Sequence, residues 1–319
     1  MELLHKYNNG NVSVSLFSDG TKTRVWEGEQ RVDFPESIDL KVTNFCDVGC
    51  SFCHESSTPK EANRAGADQT ALEEILDPLP AGVELAIGGG NPTDWPRLRD
   101  FLWWARNKGF VCNITINQFS LQRNFITDTV LSYGAPMVRG IGISVASHIN
   151  MVEATQTGYN ISNEITPLMK DVLAGSPNCV LHVIAGVHDY TILEHLCDSI
   201  VNPKILVLGY KRHGFGKEVN EGLLAHRLRL FRIGVIKAMY ERENTPRLSF
   251  DNLAIEQLNI RSMLREEAWE KYYMGPDFTT SMYVDAVQQV FAETSTTTKR
   301  TSWKDTTLLD YFRKDKRSG

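Results

Sequence analysis

The sequence lacks the features of membrane proteins, secreted disulfide-rich proteins and repeat proteins. Nowhere in its 319 residues does an apolar run reach the roughly 18 residues that a membrane-spanning helix needs. The first ten residues are polar and contain no apolar segment of a secretory signal peptide. Hydrophobic residues make up 42% of the chain and charged residues 23%, which is ordinary for a globular protein with a large core. We therefore expect a cytoplasmic globular protein with no membrane partner.

Cysteine is also scarce, because the six present are too few to form a disulfide scaffold in a chain of this length. Three of them are isolated and are expected to be small buried side chains, namely Cys112, Cys179 and Cys197. The other three, Cys46, Cys50 and Cys53, have the spacing C-x3-C-x2-C. Structural zinc sites and ferredoxin-type clusters use four protein ligands. Three thiolates leave one metal position open, which predicts a reactive centre, with a zinc-binding module as the alternative.

This loop, with Phe52 directly before the last cysteine, resembles the signature of the radical SAM superfamily. In that superfamily the three cysteines hold a [4Fe–4S] cluster, and S-adenosylmethionine (SAM) binds the fourth iron. One electron from the cluster cleaves SAM to methionine and a 5′-deoxyadenosyl radical, which removes a hydrogen atom from the substrate. The resemblance implies that Cys46, Cys50 and Cys53 are metal ligands. It also implies a flavodoxin- or ferredoxin-like protein as the one-electron reductant.

Strand-like and helix-like segments alternate six times over residues 37–208. The predicted strands are residues 37–43, 83–87, 111–117, 140–145, 179–187 and 204–208. The predicted helices between them are residues 68–76, 95–108, 121–133, 163–173 and 190–199. Such alternation builds a parallel sheet with right-handed crossovers. Together with the resemblance, it predicts an α/β fold, a partial (β/α)6 TIM-like barrel.

Three regions are expected along the chain. Residues 1–36 form an N-terminal extension with a β-hairpin at 11–34, which turns at Asp19 and Gly20. Residues 37–215 form the radical SAM core. Residues 216–319 form an α+β extension that closes the barrel and lines the substrate site. In this extension we predict helices at 223–241 and 252–269, a short strand or turn at 247–252, and a strand beginning the segment 278–291.

The resemblance also assigns residues that hold SAM. Three glycines after the second strand let the backbone approach a ligand closely. The superfamily has an acidic residue after the glycines, where this chain has Asn91, and this stretch contacts the methionine amino group of SAM. Strands three and four end in Asn117 and Ser144, at the end of a barrel where functional groups lie. The full set of expected SAM-binding residues is Phe52, Gly88, Gly89, Gly90, Asn91, Asn117, Ser144, Gly186 and Tyr210.

The sequence says less about the substrate. Residues 203–249 contain ten Lys and Arg against four Asp and Glu, and residues 299–319 contain seven against three. These basic segments suggest an anionic partner such as a nucleic acid or nucleotide. The candidate substrate residues are His148, Lys211, Asp251, Asn252, Tyr283 and Asp285.

Two further stretches narrow the resemblance to a small group of bacterial and phage radical SAM proteins. They are Gly-Gly-Gly-Asn-Pro, at 88–92, and Phe-Asp-Asn-Leu-Ala-Ile-Glu-Gln-Leu, at 250–258. This group implies remodelling of a modified thymine in phage DNA. Modification of a peptide or small molecule is the alternative, although the chain has no second cysteine set of the kind common in peptide-modifying members.

Overall fold

The computed structural model describes residues 2–60, 62, 64–121, 137–145, 165–176, 178–241 and 244–314. The predicted helix at 121–133, apart from its first residue, and the candidate residue His148 lie outside the described residues.

A small antiparallel sheet begins the fold. Its strands are β1 (Leu3–Asn9), β2 (Val12–Phe17) and β3 (Lys22–Val25). The predicted hairpin is confirmed as β2 and β3, in which Ser13 pairs with Val25. The prediction missed β1, because its sequence does not alternate between apolar and polar residues. Strand β1 pairs with β2 across a tight turn at Gly10, whose φ of 62° favours glycine.

A large, mostly parallel sheet forms the centre of the described part of the chain. Its strands are β4 (Ser37–Thr43), β5 (Glu84–Gly89), β6 (Val111–Asn117), β7 (Gly140–Ser144), β8 (Cys179–Ile184), β9 (Lys204–Leu208), β10 (Arg247–Phe250), β11 (Ser281–Asp285), β12 (Val290–Ala292) and β13 (Thr301–Ser302). The order is β10-β9-β8-β7-β6-β5-β4-β11-β12-β13, parallel from β10 to β11 and antiparallel beyond. All six predicted strands are present, so the expectation of an α/β fold with a parallel sheet is confirmed.

The parallel strands have one apolar face and one partly polar face. On β4 the buried side chains of Ile38, Leu40 and Val42 alternate with Asp39 and Lys41. The same alternation recurs on β6 and β8, because successive side chains of a strand point to opposite faces. The apolar face packs against helices in one continuous core. The other face is therefore free to line a cavity.

Helices connect and cover the strands. They are α1 (Gln69–Leu76), α2 (Leu98–Asn107), α3 (Pro167–Gly175), α4 (Ile192–Ser199), α5 (Glu221–Tyr240), α6 (Asn252–Gln257), α7 (Glu266–Tyr272) and α8 (Leu308–Lys314). The carboxylate of Asp68 accepts hydrogen bonds from the amides of Thr70 and Ala71 and caps α1. The segment 252–269, predicted to be mostly helical, is divided at Asn259, whose left-handed conformation separates α6 from the later turns and α7. Within the described residues, no helix is long and apolar enough to cross a bilayer.

The C-terminal third joins the same sheet as the preceding strands. Strand β10 pairs with β9, and β11 pairs with β4 at the other side of the sheet. The side-chain amide of Asn252 donates to the Asp277 carboxylate over 2.6 Å, which ties α6 to the segment before β11. Phe278 packs edge-on against Tyr311 and Phe312 of α8. The division into regions 1–36, 37–215 and 216–319 stays a prediction.

The small N-terminal sheet covers the ends at which the parallel strands begin. Arg139, just before β7, donates to the carbonyl of Phe17 over 2.9 Å. Glu36, just before β4, is fully buried and accepts two 2.8 Å hydrogen bonds from the guanidinium of Arg24 on β3. The opposite ends of the parallel strands, where each strand finishes, are not covered by this sheet.

We expect Glu36→Gln to lower the free energy of unfolding by roughly 2–4 kcal/mol, because it leaves the largely buried Arg24 guanidinium without a charged partner. Urea unfolding followed by circular dichroism measures the change. Glu266→Gln is the control, because its ion pair with Arg261 is exposed and its loss costs at most about 0.5 kcal/mol. Equal stability of the two variants would contradict the structural role of Glu36.

Candidate active site

A cavity of about 370 Å³ lies on the partly polar face of the sheet. It is lined by Asp39, Lys41, Cys46, Val48, Cys50, Phe52, Cys53, His54, Glu55, Ala86, Gly88, Gly89, Gly90, Thr115, Asn117, Ser144, His182, Ile184, Val187, Leu208, Gly209, Tyr210, Lys211 and Tyr283. Strands β4 to β9 and β11 all contribute to it. Its size is that of a site for a small organic ligand.

The three cysteines of the C-x3-C-x2-C loop all line this cavity. The loop follows β4 directly and closes on itself, since the amide of Cys46 donates to the carbonyl of Thr58 over 3.1 Å. The segment after β9 packs on the loop, and the amide of Phe215 donates to the carbonyl of Cys53 over 3.0 Å. Gly214 allows this contact, because a Cβ there would lie 2.7 Å from the same carbonyl oxygen. The loop is therefore held from two sides.

The electrostatics of the three thiols favour a bound cationic group. Burial, with added repulsion from Cys53 and Cys46, raises the pKa of Cys50 to about 12. Burial also raises the pKa of Cys46. Three thiolates can therefore coexist here only when positive charge compensates them, and metal binding deprotonates coordinating thiols.

The three thiols offer one donor fewer than a structural zinc site or a ferredoxin-type cluster uses. Among the described residues, no three His, Cys, Asp or Glu side chains are gathered closely enough to hold one metal ion. The three thiols nevertheless line one cavity and interact electrostatically across it. The donor set therefore fits a group that takes three protein sulfur ligands and leaves one position open.

The three glycines at the end of β5 have different structural roles. A Cβ on Gly88 would meet no atom within 4 Å, so this residue leaves part of the cavity open. Gly89 has a φ of 109°, and Gly90 packs so tightly that a Cβ would lie 1.9 Å from the carbonyl oxygen of Phe45. Gly90 and the following residue donate backbone hydrogen bonds to Thr43 and Phe45. Gly88 thus leaves space in the cavity, whereas Gly89 and Gly90 are required by the packing of the backbone.

Asn91 does not line the cavity. Its side chain is buried, donates to the Asp94 carboxylate over 2.6 Å and accepts from the Thr93 hydroxyl over 2.9 Å. These contacts keep the amide within its own turn, at Pro92–Asp94. The contact with the methionine end of SAM that the resemblance assigned to Asn91 stays a prediction.

The predicted ribose and adenine residues lie along the carboxyl ends of neighbouring strands. Asn117 and Ser144 pair with each other in the register of β6 and β7, and both line the cavity. The ring of Tyr210 is buried, and its hydroxyl donates to the carbonyl of Gly216 over 2.9 Å. Gly186 does not line the cavity, and a Cβ there would lie 2.6 Å from Leu224 of α5. Packing against α5 therefore accounts for this glycine.

An apolar wall separates the cysteine loop from α5. Phe52, Val187, Tyr210 and Leu224 are all buried and form a hydrophobic cluster against which Cys50 packs. Such a wall limits access of water to the thiols. The predicted contact of Phe52 with SAM stays a prediction.

A polar network occupies the β4 and β11 side of the cavity, and the sequence analysis identified only part of it. The ammonium of Lys41 lies 2.7 Å from the Glu55 carboxylate and 3.3 Å from Asp285. The hydroxyl of Tyr283 donates to Glu55 over 2.9 Å. Lys211 donates to the hydroxyl of Ser295 over 2.8 Å. Three candidate substrate residues from the sequence analysis, Lys211, Tyr283 and Asp285, thus lie in one network.

Two other candidate substrate residues have structural roles instead. The Asp251 carboxylate caps α6 by accepting from the amide of Ala254 over 2.7 Å, and it also accepts from Gly209. Asn252 donates to Asp277 and to the carbonyl of Gly275. Neither lines the cavity, so their predicted contact with the substrate stays untested.

Several cavity residues were missed by the sequence analysis. They are Asp39, Lys41, His54, Glu55, Thr115 and His182. Asp39, Thr115 and His182 each occupy the polar positions of strands whose other positions are apolar. Polar residues at alternate positions of a parallel strand would have indicated them. Burial lowers the pKa of His182 to about 4, so its ring is neutral at pH 7.

We expect Gly90→Ala to destabilise the protein by about 1–3 kcal/mol, because its methyl group would collide with the backbone of Phe45. Gly88→Ala is the matched control and should change stability by at most about 0.5 kcal/mol, since its methyl group meets open space. Chemical denaturation of both variants measures the difference. Two equally stable variants would show that the Gly90 turn is not packed as described.

No protein-family model matches the chain, and no curated protein sequence matches it. Solved structures of Streptococcus suis SuiB do resemble it. SuiB bound to the precursor peptide SuiA superposes with a TM-score of 0.62 at 14% identity, over 88% of this chain and 65% of SuiB. SuiB bound to S-adenosylmethionine superposes with a TM-score of 0.59 at 15% identity, over 88% of this chain and 66% of SuiB.

The chain therefore spans just under two thirds of the length of SuiB. At this level of identity the likeness establishes a shared fold: a mixed α/β architecture on a large, mostly parallel sheet.

Proposed function

We propose that the protein is a radical SAM enzyme that binds a [4Fe–4S] cluster through Cys46, Cys50 and Cys53 and binds SAM in the same cavity. One observation carries the proposal: three thiols from a single loop line one cavity together with the glycine edge of β5 and the polar ends of β6 and β7. The same fold in SuiB, which has been solved with SAM bound, supports it. In this proposal the parallel strands curve around the cavity as a partial barrel.

When bound, the cluster and SAM would together supply a 5′-deoxyadenosyl radical that removes hydrogen from a substrate. The chain's own residues bind and shield these groups. Gly88 leaves room beside the thiols, and Asn117 and Ser144 offer hydrogen-bonding groups to a ribose. Phe52 and Tyr210 exclude water from the cysteine loop. A flavodoxin- or ferredoxin-like reductant and a reducing, cytoplasmic setting are parts of the same proposal.

Two substrate classes follow from different observations. The basic segments 203–249 and 299–319 support a nucleobase in DNA, such as a modified thymine. Several of these basic residues are engaged within the fold: Arg232 donates to the carbonyl of Leu258, just after α6, and Arg300 lies 4.8 Å above the ring of Tyr283. Arg229 and Lys237 on α5 are exposed. A peptide is the second candidate, because SuiB has been solved with a precursor peptide.

Anaerobic reconstitution with iron and sulfide tests the enzymatic proposal. We expect wild type to gain a broad visible charge-transfer absorption and, with a reductant, to convert SAM to 5′-deoxyadenosine and methionine. Cys50→Ala should lose both, because two thiolates cannot hold the cluster in place. Its circular dichroism spectrum should stay that of wild type.

Cys197→Ala is the control, since this cysteine is buried in α4 and does not line the cavity. It should keep the absorption and the cleavage activity. Failure of the wild-type protein to cleave SAM after reconstitution would refute the proposed function.

A nucleic-acid substrate predicts salt-dependent binding to DNA. We expect single- or double-stranded DNA to bind at low salt, with an affinity that falls steeply as salt is added. Replacing both Arg229 and Lys237 by alanine should reduce the salt slope by about 2, one unit for each lost phosphate contact. Lys108→Ala is the control, because Lys108 pairs with Asp77 at the end of α2. Absence of binding at low salt would exclude this class and leave the peptide.

A further inference from the structure

Four charged carboxylate or ammonium side chains line the described part of the cavity: Asp39, Lys41, Glu55 and Lys211. Two of them form an ion pair, since Lys41 lies 2.7 Å from Glu55, and Lys41 also lies 3.3 Å from Asp285. The other two are not paired in this way. The charges of Asp39 and Lys211 are the basis of the inference.

The ammonium of Lys211 contacts a hydroxyl and an imidazole. It donates to the hydroxyl of Ser295 over 2.8 Å and lies 3.5 Å from Nε2 of His54. No carboxylate of the described residues lies within ion-pair distance of Lys211. An ammonium has three N–H donors, and at least one remains for a group in the cavity.

Asp39 is the complementary charge. Its side chain is exposed to the cavity and makes no hydrogen bond with the described residues. The positive charge of Lys211 attracts the Asp39 carboxylate, and the negative charges of Glu55 and Asp277 repel it. Burial, which removes the carboxylate from bulk water, has the largest effect on the pKa of Asp39 and raises it. A cationic group beside it would restore the ionised form.

The position of Asp39 separates it from the proposed SAM edge. In the register of β4 and β5, Lys41 lies beside Gly88, whereas Asp39 lies beside Ala86. Two residues along a strand correspond to about 7 Å. Asp39 is therefore one layer further from the strand ends, the cysteine loop and the three glycines. On its other side it neighbours Tyr283 of β11.

Leaving two opposite charges unpaired in a partly dry cavity costs free energy, which a ligand with matching charges recovers. We propose that the substrate is a zwitterion, with an ammonium group bound by Asp39 and a carboxylate or phosphate group bound by Lys211. This inference rests on the proposed function, because it takes the ligand to be the substrate that binds beside SAM in the same cavity. Tyr283, whose hydroxyl donates to Glu55, lines the same cavity beside Asp39.

Ligand-observed NMR on the reconstituted, SAM-saturated protein tests this site. The probes are glycine and 2-aminoethyl phosphate, which combine an ammonium group with a carboxylate and a phosphate. N-acetylglycine and glycinamide each lack one charge of glycine. The variants are Lys211→Met and Asp39→Asn. The matched controls are Lys217→Met, whose side chain is 68% exposed, and Asp100→Asn, whose side chain is 67% exposed.

We expect at least one zwitterion to give a saturable signal with wild type and both controls. Each cavity variant should weaken binding by at least about tenfold, because it leaves the opposite charge of the ligand unpaired. The single-charge relatives of glycine should bind at least about tenfold more weakly than glycine. The probe that binds better identifies the anion as carboxylate or phosphate.

Three results would overturn the inference: no signal from either zwitterion, unchanged binding in both cavity variants, or binding that occurs only without SAM. The last would assign the two charges to the methionine part of SAM. SAM cleavage measured on the same preparations keeps the two proposals separate. A preparation that binds glycine but does not cleave SAM refutes the proposed function, and the reverse refutes the zwitterion site.

Discussion

The buried ion pair between Lys41 and Glu55 connects the parts of the candidate site. Lys41 belongs to β4, and Glu55 lies two residues after the last cysteine of the loop. Burial alone would raise the pKa of Glu55, but the hydrogen bonds and charges of His54 and Lys41 hold it well below its usual range. Lys41, 2.7 Å from Glu55, supplies a compensating positive charge. Loss of either partner would leave an unpaired buried charge, which typically costs about 3–5 kcal/mol. The cysteine loop is thus fixed to the sheet by an interaction that cannot easily rearrange.

Much of the fold could be predicted from the sequence because the parallel strands have strong local patterns. Strand β6 and the loop of Cys46, Cys50 and Cys53 need only apolar periodicity and spacing to be recognised. The polar network could not be found in this way. The contact between Glu55 and Tyr283 joins residues 228 positions apart, and it depends on β11 pairing with β4. Local patterns carry no information about that pairing, so Lys41 and Glu55 were missed.

The glycines show a second limit of sequence reasoning. A run of three suggested close approach of the backbone to a ligand, but only Gly88 faces empty space. Position 90 is glycine because the carbonyl oxygen of Phe45 occupies the place that a Cβ would take. Similarly, packing against Leu224 of α5 accounts for glycine at position 186. A residue type signals that the backbone is crowded or unusual, and only the packing around it distinguishes a ligand from another part of the chain.

The charges of the cavity also bear on the choice between substrates. Uncharged positions of a peptide, or an unmodified base, offer no group that satisfies both Asp39 and Lys211. The DNA backbone offers phosphate for Lys211 but no cation for Asp39. A zwitterionic group satisfies both, whether it is a free small molecule or is carried on a larger one. The specificity of the cavity then lies in these two opposite charges, and the larger carrier would be selected by surfaces outside the cavity.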